Sequence, residues 1–285
     1  MDNCGDLVYF VNSQGRKAVL SSPENQNYWE LRGRSGFTAP EVENFSVQMA
    51  SGITKYFGKT LKPRICTMKM VCTGKNTAER DRIFFDMLDV LLDVSGTGEG
   101  KLYVKRSDGA TVWLRCVYSD GMNIIEQYQK LHLFTLTFFA CDPWFYGAEK
   151  KYSLDGLLNS PYTIKVSNQT KNDMQVKLLV NNNDHTWSFN GRISNQKNGS
   201  VIKFKNVSTY KNFEASFNRY DEYYRLTDYY SGDSVDGRHL LDWLETDPEF
   251  CIVPGDNIIS GSSFSASGLY ADSAWLIAYA RYSGA

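Results

Sequence analysis

The chain is divided at the stretch KLHLFTLTFFACDPWFYG, which occupies residues 130–147. Its first part is rich in β-branched and aromatic side chains, which favour a β-strand. Pro143 has no backbone N–H to donate to a β-ladder, so this strand has to end at Asp142. We therefore predict two domains, residues 1–148 and residues 149–285.

Length and composition agree with that division. A chain of 285 residues exceeds the usual size of one domain, and a hydrophobic content of 42% is enough for two packed cores. Aromatic residues make up 14% of the chain, including 18 Tyr and 16 Phe. This composition favours β-structure and contact surfaces over long helices.

Charge and hydropathy exclude several classes of protein. With 31 basic and 32 acidic side chains the net charge is -1, which provides no basic surface for specific nucleic-acid binding or for an anionic membrane. No apolar stretch reaches the roughly 20 residues that span a bilayer. The N-terminus lacks the basic and apolar regions of a secretion signal, so we expect synthesis and folding in a cytoplasm.

Cysteine and histidine spacing gives no sign of a metal site or a cofactor. The six cysteines contain no CxxC pair and are expected to be free thiols in a reducing compartment. The three histidines lie far apart, and His132 alternates with leucines in the strand described above, which indicates a structural role. The nucleophile-elbow, HExxH and phosphate-loop motifs are missing from the sequence, so we predict no enzyme.

The first domain is predicted to be an α+β domain, a β-sheet or barrel with one helix. Strong alternation over residues 64–72 indicates a half-buried strand. A helix over about 76–94 is expected because Asn76 is a suitable N-cap, Glu79 follows three residues later and apolar residues share one face. Further strands are predicted in hairpins at 7–20 and 102–118 and at 41–50, whereas residues 21–40 are expected to be irregular.

The second domain shows a different pattern. Short strand-like segments alternate with Asn- and Gly-rich turns and have no helical periodicity between them. They are Tyr162–Val166, Gln175–Val180, Thr186–Phe189, Val201–Phe204, Phe250–Val253, Asn257–Ile259 and Ala274–Tyr282. This spacing is typical of an antiparallel β-sandwich. Residues 209–247, rich in Tyr and Asp, are interpreted as an insertion.

Three motifs in this order resemble one family. They are Asp142-Pro143-Trp144-Phe145-Tyr146-Gly147, the turn Pro254-Gly255-Asp256-Asn257 that leads into a late strand, and the strand, helix and hairpin between residues 64 and 118. Together they resemble the distal tail proteins of long-tailed bacteriophages. The segment 209–247 departs from the family pattern.

The resemblance implies a structural protein of the virion, located at the tail tip. It implies a ring, six-fold in this family, in which the N-terminal domains form the ring and galectin-like C-terminal sandwiches decorate its outside. The expected partners are further copies of the same chain, the tail tube protein and tail-tip or tail-associated proteins, with a receptor-binding protein as a further candidate.

Two other hypotheses come from the tyrosines and carboxylates of the insertion. Tyrosines beside carboxylates are typical of sugar-binding surfaces, so Tyr223, Tyr224, Tyr229 and Tyr230 are candidate glycan or partner contacts. A carbohydrate-binding host-adhesion module is therefore the competing hypothesis, and a glycan-degrading enzyme using paired carboxylates is the third. A solvated or protein-contacting loop explains the same residues without a ligand.

Overall fold

The computed structural model describes residues 7–22, 27–50, 52–93, 98–106, 108–154, 162–181, 187–189, 191–205, 207–209, 211–218, 223–228, 230–262 and 273–285. Contacts divide the chain into a first unit, Met1–Gly147 with Tyr282–Ala285, and a second unit, Ala148–Arg281. The sequence-based division placed residues 282–285 in the second domain, and the structure differs there. The reason is that Ala285 N donates a 2.8 Å hydrogen bond to Phe37 O in the first unit.

The first unit is a curled antiparallel sheet. Its strands are β1 (Val8–Val11), β2 (Lys17–Ser21), β3 (Tyr28–Ser35), β4 (Val42–Gln48), β5 (Thr54–Leu61), β6 (Arg64–Thr73), β7 (Gly100–Lys105), β8 (Thr111–Tyr128), β9 (Leu131–Ala140) and the start of β10 (Phe145–Ser153). Neighbouring strands pair in the order β2, β1, β7, β8, β9, β6, β3. The long strand β8 pairs with β7 through its first part and with β9 through its second, which lets the sheet curl around one core.

Alternation of side chains decides which face of this sheet is buried. In β9 every second residue is buried, including Phe134, Leu136 and Phe138. In β6 the buried residues include Cys66, Met68 and Met70, whereas Ile65 is exposed, which confirms the predicted half-buried strand. Since Met68 lies directly opposite Leu136 in the ladder, the two strands present one continuous apolar face.

The helix α1 (Thr77–Leu91) covers part of that face. Asn76 is its N-cap, and the side-chain Oδ1 of Asn76 accepts a 2.9 Å hydrogen bond from Glu79 N, as predicted. The helix is shorter than the predicted range of 76–94, because Leu92 has left the helical conformation. The ring of Phe84 meets that of Phe134 edge-on at 5.1 Å, which packs the helix against β9.

Besides β10, which begins in the first unit, two strands of that unit were not predicted. Strand β3 lies within the segment expected to be irregular, and it pairs with β6. We did not predict it because it contains charged residues. In the structure Glu30 is buried, and its carboxylate receives two hydrogen bonds from Arg34, at 2.7 and 2.6 Å. A bidentate pair of this kind allows charged residues to occupy a strand. Strand β5 also escaped prediction, because lysines and Gly58 interrupt its apolar residues.

The described part of the second unit contains two larger antiparallel sheets. Its strands are the end of β10, then β11 (Tyr162–Asn168), β12 (Met174–Asn181), β13 (Trp187–Phe189), β14 (Arg192–Asn195), β15 (Val201–Lys203), β16 (Val207–Thr209), β17 (Asn212–Ser216), β18 (Tyr223–Thr227), β19 (Ser234–Asp236), β20 (Cys251–Ile252), β21 (Gly255–Ser262) and β22 (Ser273–Tyr282). One sheet has the order β19, β18, β17, β12, β22, β10, and the other has the order β11, β21, β14, β15. The rings of Phe204, just after β15, and Phe213, in β17, meet at 5.7 Å, so both sheets contribute to one core.

The described residues between 209 and 247 belong to one of these sheets and do not form a separate insertion. Strand β17 pairs with β12, β18 pairs with β17, and β19 pairs with β18, so this segment extends one of the sheets. A short 3₁₀ helix, Arg238–Leu240, follows. The segment was misread because its core-facing residues, such as Phe213 and Leu226, stand alone between polar residues in very short strands.

The motif Pro254-Gly255-Asp256-Asn257 forms a turn fixed by a buried asparagine. Gly255 has a φ of 87°, a conformation that favours glycine. The side-chain nitrogen of Asn257 donates to Val253 O at 2.7 Å and to Gly255 O at 2.8 Å. Its Oδ1 accepts a 3.0 Å hydrogen bond from Asn195, which ties the turn to β14.

Candidate assembly surface

The β4–β5 hairpin is the most exposed regular structure of the first unit. The two strands pair with each other from Val42 opposite Leu61 to Gln48 opposite Thr54. In the described part of the chain neither strand pairs with another one. Every residue of β4 is exposed, and β5 has no buried residue. An isolated two-stranded hairpin is at best marginally stable in water, so a partner surface is expected to stabilise this one.

Apolar side chains cover this hairpin. Phe45 is 49% exposed, Phe57 is 60% exposed and Ile53, near the tip, is 67% exposed. The other large exposed hydrophobic residues of the hairpin region are Val42, Val47, Met49 and Tyr56. Scattered exposed hydrophobic residues are ordinary, but seven of them on one hairpin are a concentration that indicates an interaction site. We call the group of these seven side chains the hairpin surface.

Local hydrogen bonds hold the hairpin in one register. At the tip, Met49 N donates to Ile53 O and Gly52 N donates to Met49 O, both at 2.8 Å. At the base, Lys62 N donates to Glu41 O at 3.0 Å. A register shift between Phe45 and Ser46 marks a β-bulge, which increases the local twist. These hydrogen bonds and the bulge define the shape that the hairpin presents to a partner.

Arg64 anchors both ends of the hairpin to the first unit. It is buried just after β5, and its guanidinium donates to Gly36 O, to Thr38 O at 2.6 Å, and to Pro143 O at 2.7 Å. It also donates to Ser283 O at 2.8 Å. Because Thr38 precedes β4 and Arg64 follows β5, this one side chain fixes the entry and the exit of the hairpin.

The Asp-Pro-aromatic motif builds the other side of the Arg64 site. Asp142 Oδ1 accepts a 3.1 Å hydrogen bond from Trp144 N, and Asp142 Oδ2 accepts one from the hydroxyl of Tyr146. This turn aims Pro143 O at the guanidinium, while the ring of Phe145 lies under it at 4.9 Å. The motif that decided the domain boundary therefore also positions the hairpin.

Gly36 is required at this site by its geometry. Its φ is 79°, and a Cβ atom at this position would lie 1.9 Å from Ile65 O. No side chain fits at that distance, so the close approach of the segment before β4 to strand β6 depends on glycine. Sequence reasoning did not identify Arg64 or Gly36, because their partners are distant along the chain.

The far end of β8 adds a second exposed apolar group. Ile124, Ile125 and Tyr128 are exposed there, where β8 pairs irregularly with β9. The register shifts on β8 between Gly121 and Glu126 separate this end from the regular ladder. Like the hairpin surface, it offers hydrophobic side chains that the described part of the first unit does not cover.

The four tyrosines proposed as a contact site lie in different environments. Tyr224 is buried, and its ring meets Trp243 edge-on at 4.9 Å, so it belongs to the core and the prediction for it was wrong. Tyr223 lies on the opposite face of β18, where Lys177 Nζ donates to its hydroxyl at 3.1 Å. Tyr230 is 68% exposed in the turn after β18, and Tyr229 lies outside the described residues.

Histidine and carboxylate side chains that could carry out acid–base chemistry have structural partners. His132 is buried and its Nε2 lies 2.9 Å from Asp81 Oδ1, which also receives hydrogen bonds from Arg80. Those hydrogen bonds from Arg80, and then that from His132, lower the pKa of Asp81. Asp228 caps its own turn by accepting from Tyr230 N at 2.9 Å and Ser231 N at 3.1 Å. His185 lies outside the described residues.

The described cysteines are thiols rather than disulfides: Cys66, Cys72, Cys116, Cys141 and Cys251. Burial raises the pKa of Cys66 and of Cys72 to about 12, and that of Cys251 to about 11. Among the described residues no group of three or more His, Cys, Asp or Glu side chains is arranged to hold a metal ion. Within the same residues, no helix has the length and apolar character needed to cross a membrane.

Comparison with known proteins gives no match in sequence but a clear match in fold. No protein-family model and no curated protein matches the chain. The crystal structure of SPP1 Dit, described as a paradigm of hub adsorption apparatus in Gram-positive infecting phages, matches with a TM-score of 0.62 and 11% identity, over 96% of this chain and 99% of that one. The phage P2 baseplate in its activated conformation with Ca matches with a TM-score of 0.58 and 11% identity, over 98% of this chain and 99% of that one.

These matches establish the fold across both units. The chain has the mainly β fold of the phage hub and baseplate proteins, with one helix in its described part. The predicted fold class is therefore confirmed as mainly β with a single helix.

Proposed function

We propose that this chain is a subunit of a bacteriophage distal tail hub, a ring that connects the tail tube to the tip or receptor-binding apparatus. The observation that carries the proposal is the extent of the structural match. Both units of this chain together correspond to one chain of a protein described as a hub adsorption apparatus, over 96% and 99% of the two lengths. A shared domain in an unrelated protein would match one unit only.

The hairpin surface supports the ring in this proposal. Oligomer interfaces are apolar at their centre and enriched in aromatic residues, and the hairpin exposes Phe45, Phe57 and Tyr56. Both outer edges of the hairpin also carry backbone groups that can pair with another strand. In the proposal residues 1–148 form the ring, six-fold by the family resemblance, and the hairpin of each copy contacts its neighbour.

The remaining parts of the proposal follow from that ring. Residues 149–285, a sandwich proposed to be galectin-like, lie on its outside, with 209–247 as part of that domain. Tail tube protein meets one face of the ring, and tail-tip, tail-associated or receptor-binding proteins meet the other. The place of the protein is the virion tail tip, after synthesis in the host cytoplasm. A net charge of -1 suits a channel that DNA passes without being held.

A structural role also accounts for the ionisable groups. We propose no enzyme activity and no cofactor, since His132, Asp81 and Asp228 have the structural partners described above. The adhesion module is not favoured as the main role, since the matched structures are hub and baseplate proteins along their whole length.

The proposal is tested by the mass and shape of the purified chain in solution. Native mass spectrometry is expected to give a closed oligomer of several 32.4 kDa chains, six by the family resemblance, and negative-stain electron microscopy should show annular particles. A monomer that persists at high protein concentration, with no rings when tail tube protein is added, would rule the hub out.

A further inference from the structure

The outward face of one sheet in the second unit carries a group of polar and aromatic side chains that the proposed hub role does not use. In β12, Val176 and Leu178 face the core, so Gln175 and Lys177 face the other way. The ladder places Tyr279 of β22 opposite Gln175, and Ser216 of β17 opposite Lys177. These four residues therefore occupy one face of three adjacent strands.

The next strand on each side extends this face. Tyr223 of β18 lies opposite Ser216, and its hydroxyl donates to Glu214 Oε1 of β17. At the other side the hydroxyl of Tyr279 donates to Glu149 Oε2 of β10 at 2.9 Å, and Lys151 pairs with the same carboxylate at 3.2 Å. We call this continuous set the outer-face cluster, which consists of Glu149, Lys151, Gln175, Lys177, Glu214, Ser216, Tyr223 and Tyr279.

Two buried polar atoms lie within the outer-face cluster. Gln175 is 8% exposed and Ser216 is 1% exposed. Among the described residues, neither the Oε1 of Gln175 nor the Oγ of Ser216 has a hydrogen-bond partner. Native proteins leave few buried polar atoms unsatisfied, and such atoms call for a specific explanation. Gln175 and Ser216 both flank Lys177, so the two atoms without a hydrogen-bond partner belong to residues on either side of one lysine.

Lys177 lies between two aromatic rings. Its Nζ is 5.1 Å from the centre of the Tyr223 ring and 5.9 Å from the centre of the Tyr279 ring. Arg225 approaches the Tyr223 ring as well, at 5.4 Å. The cations on this face are Lys151, Lys177 and Arg225, which lies opposite Glu214 in the ladder, and they are interleaved with the carboxylates of Glu149 and Glu214. Such a surface offers donors and acceptors together but little net charge.

We propose that the outer-face cluster is a binding site for a neutral saccharide. A sugar ring has an apolar C–H face that packs on tyrosine rings, and hydroxyls that both donate and accept hydrogen bonds. Its hydroxyls can accept from Lys177, and they can donate to Gln175 Oε1 and Ser216 Oγ once the side chains that cover these two buried atoms move aside. An anionic polymer would require a larger excess of cations than the single one that this face carries over its two carboxylates.

This site differs from the tyrosine group considered in the sequence. Tyr223 belongs to both, but Tyr224 lies in the core and Tyr230 lies in the turn after β18. The inference is independent of the ring, since all residues of the cluster belong to the second unit of a single chain.

Saturation-transfer NMR on the full chain tests the site with a panel of neutral oligosaccharides of glucose, galactose, mannose and N-acetylglucosamine. At least one of them is expected to bind with a Kd on the order of 1 mM or tighter. Tyr279→Ala and Lys177→Met should each weaken binding at least about tenfold, a loss of roughly 1.4 kcal/mol, whereas Tyr230→Ala, a matched exposed tyrosine, should bind as the wild type does.

Two conservative variants keep the test decisive if the larger changes disturb folding. Tyr279→Phe retains the ring but not the hydrogen bond to Glu149, and Ser216→Ala removes only the buried hydroxyl. Each is expected to weaken binding about threefold while the thermal unfolding curve is preserved. The proposal is overturned if no saccharide of the panel gives saturation transfer, or if both conservative variants bind as the wild type does.

Discussion

The β6–β9 strand pair and the β4–β5 hairpin belong to the same unit and use the same antiparallel ladder, yet they bury very different surfaces. In β9 every second side chain is buried, whereas every residue of β4 is exposed. Both carry large apolar residues, so composition alone does not separate them. The difference is that α1 and the curled sheet cover the face of β6 and β9, while in the described part of the first unit nothing covers the hairpin.

This difference indicates that one region stabilises the fold and that the other is available for assembly. Side chains on the β6–β9 face stabilise the fold of the first unit, and those of the hairpin surface are available for another molecule. Arg64 connects the two regions, because it begins β6 and holds the segments that enter and leave the hairpin. Substitutions in the two regions should therefore change different measured quantities.

The largest loss of stability is expected from Arg64→Met. This change leaves the carbonyl oxygens of Gly36, Thr38, Pro143 and Ser283 without their common donor in a buried site. Loss of charge-assisted hydrogen bonds there should lower the free energy of unfolding by about 4 kcal/mol. Chemical denaturation of the variant and the wild type measures this loss of unfolding free energy.

Arg82→Met is the matched control for that change. Arg82 lies on the exposed face of α1 with a long 3.7 Å ion pair to Asp86, so its replacement should cost less than about 0.5 kcal/mol. Equal losses in the two variants would contradict the anchoring role of Arg64.

Met68→Ala compares the buried face directly with the hairpin. Met68 is fully buried opposite Leu136, and the cavity left by its truncation should cost about 3 kcal/mol of unfolding free energy. Val47→Ala, on the exposed strand β4, should cost less than about 0.5 kcal/mol in the same denaturation experiment. Similar costs at both positions would mean that the hairpin is covered within its own chain.

Alkaline pH is expected to lower the free energy of unfolding by a smaller amount, through a thiol on the buried face. Burial raises the pKa of the Cys66 thiol from 9.0 to about 12, although nearby Arg64 acts in the opposite direction. Above the unfolded pKa of 9.0 the unfolded chain loses this proton while the folded chain keeps it. The stability that the neutral thiol contributes is thus complete below that pH and is lost as the pH rises towards the folded pKa, by about 1.4 kcal/mol per pH unit.

Cys66→Ala should therefore flatten the fall of unfolding free energy between roughly pH 9 and pH 11, measured by denaturation at several pH values. Cys141→Ala removes an exposed thiol and should leave the slope as in the wild type. An unchanged slope in Cys66→Ala would show that other groups, such as buried tyrosines, cause the alkaline loss.

Sequence patterns predicted those parts of the structure that depend on neighbouring residues. Alternation revealed β6, β-branched and aromatic content revealed β9, and Asn76 revealed the start of α1. Strand β3 was missed because the pairing of Glu30 with Arg34 is visible only in the fold. The Arg64 site was out of reach, since its partners come from residues 36, 38, 143 and 283.

The prediction of contact residues was limited in the same way. A tyrosine-rich segment was recognised, but its division between the core and the surface was not. Tyr223 and Tyr224 are consecutive, so a strand has to turn them to opposite faces, and only the pairing of β18 with β17 decides which one is buried. The hairpin surface gave a weaker signal, because a bulge interrupts its alternation.

The smallest effect on stability, and the strongest on assembly, is expected from replacing Phe45 and Phe57 together by serine. Both rings are largely exposed in the single chain, so the free energy of unfolding of the isolated chain should change by less than about 0.5 kcal/mol. If the hairpin surface joins neighbouring copies, the same change removes two aromatic side chains from an interface, where such residues contribute most of the binding energy.

Native mass spectrometry of this double variant should then show monomers at a concentration where the wild type forms the closed oligomer. Val235→Ser, which alters an exposed apolar side chain of the second unit, should leave the oligomer intact. An unchanged oligomer in the double variant would assign the ring contact to another surface, with the exposed end of β8 around Ile124 and Ile125 as the next candidate. Loss of assembly with an unchanged unfolding curve would mean that the hairpin is held in shape by Arg64 and its own ladder, and that its apolar residues serve the neighbouring copy.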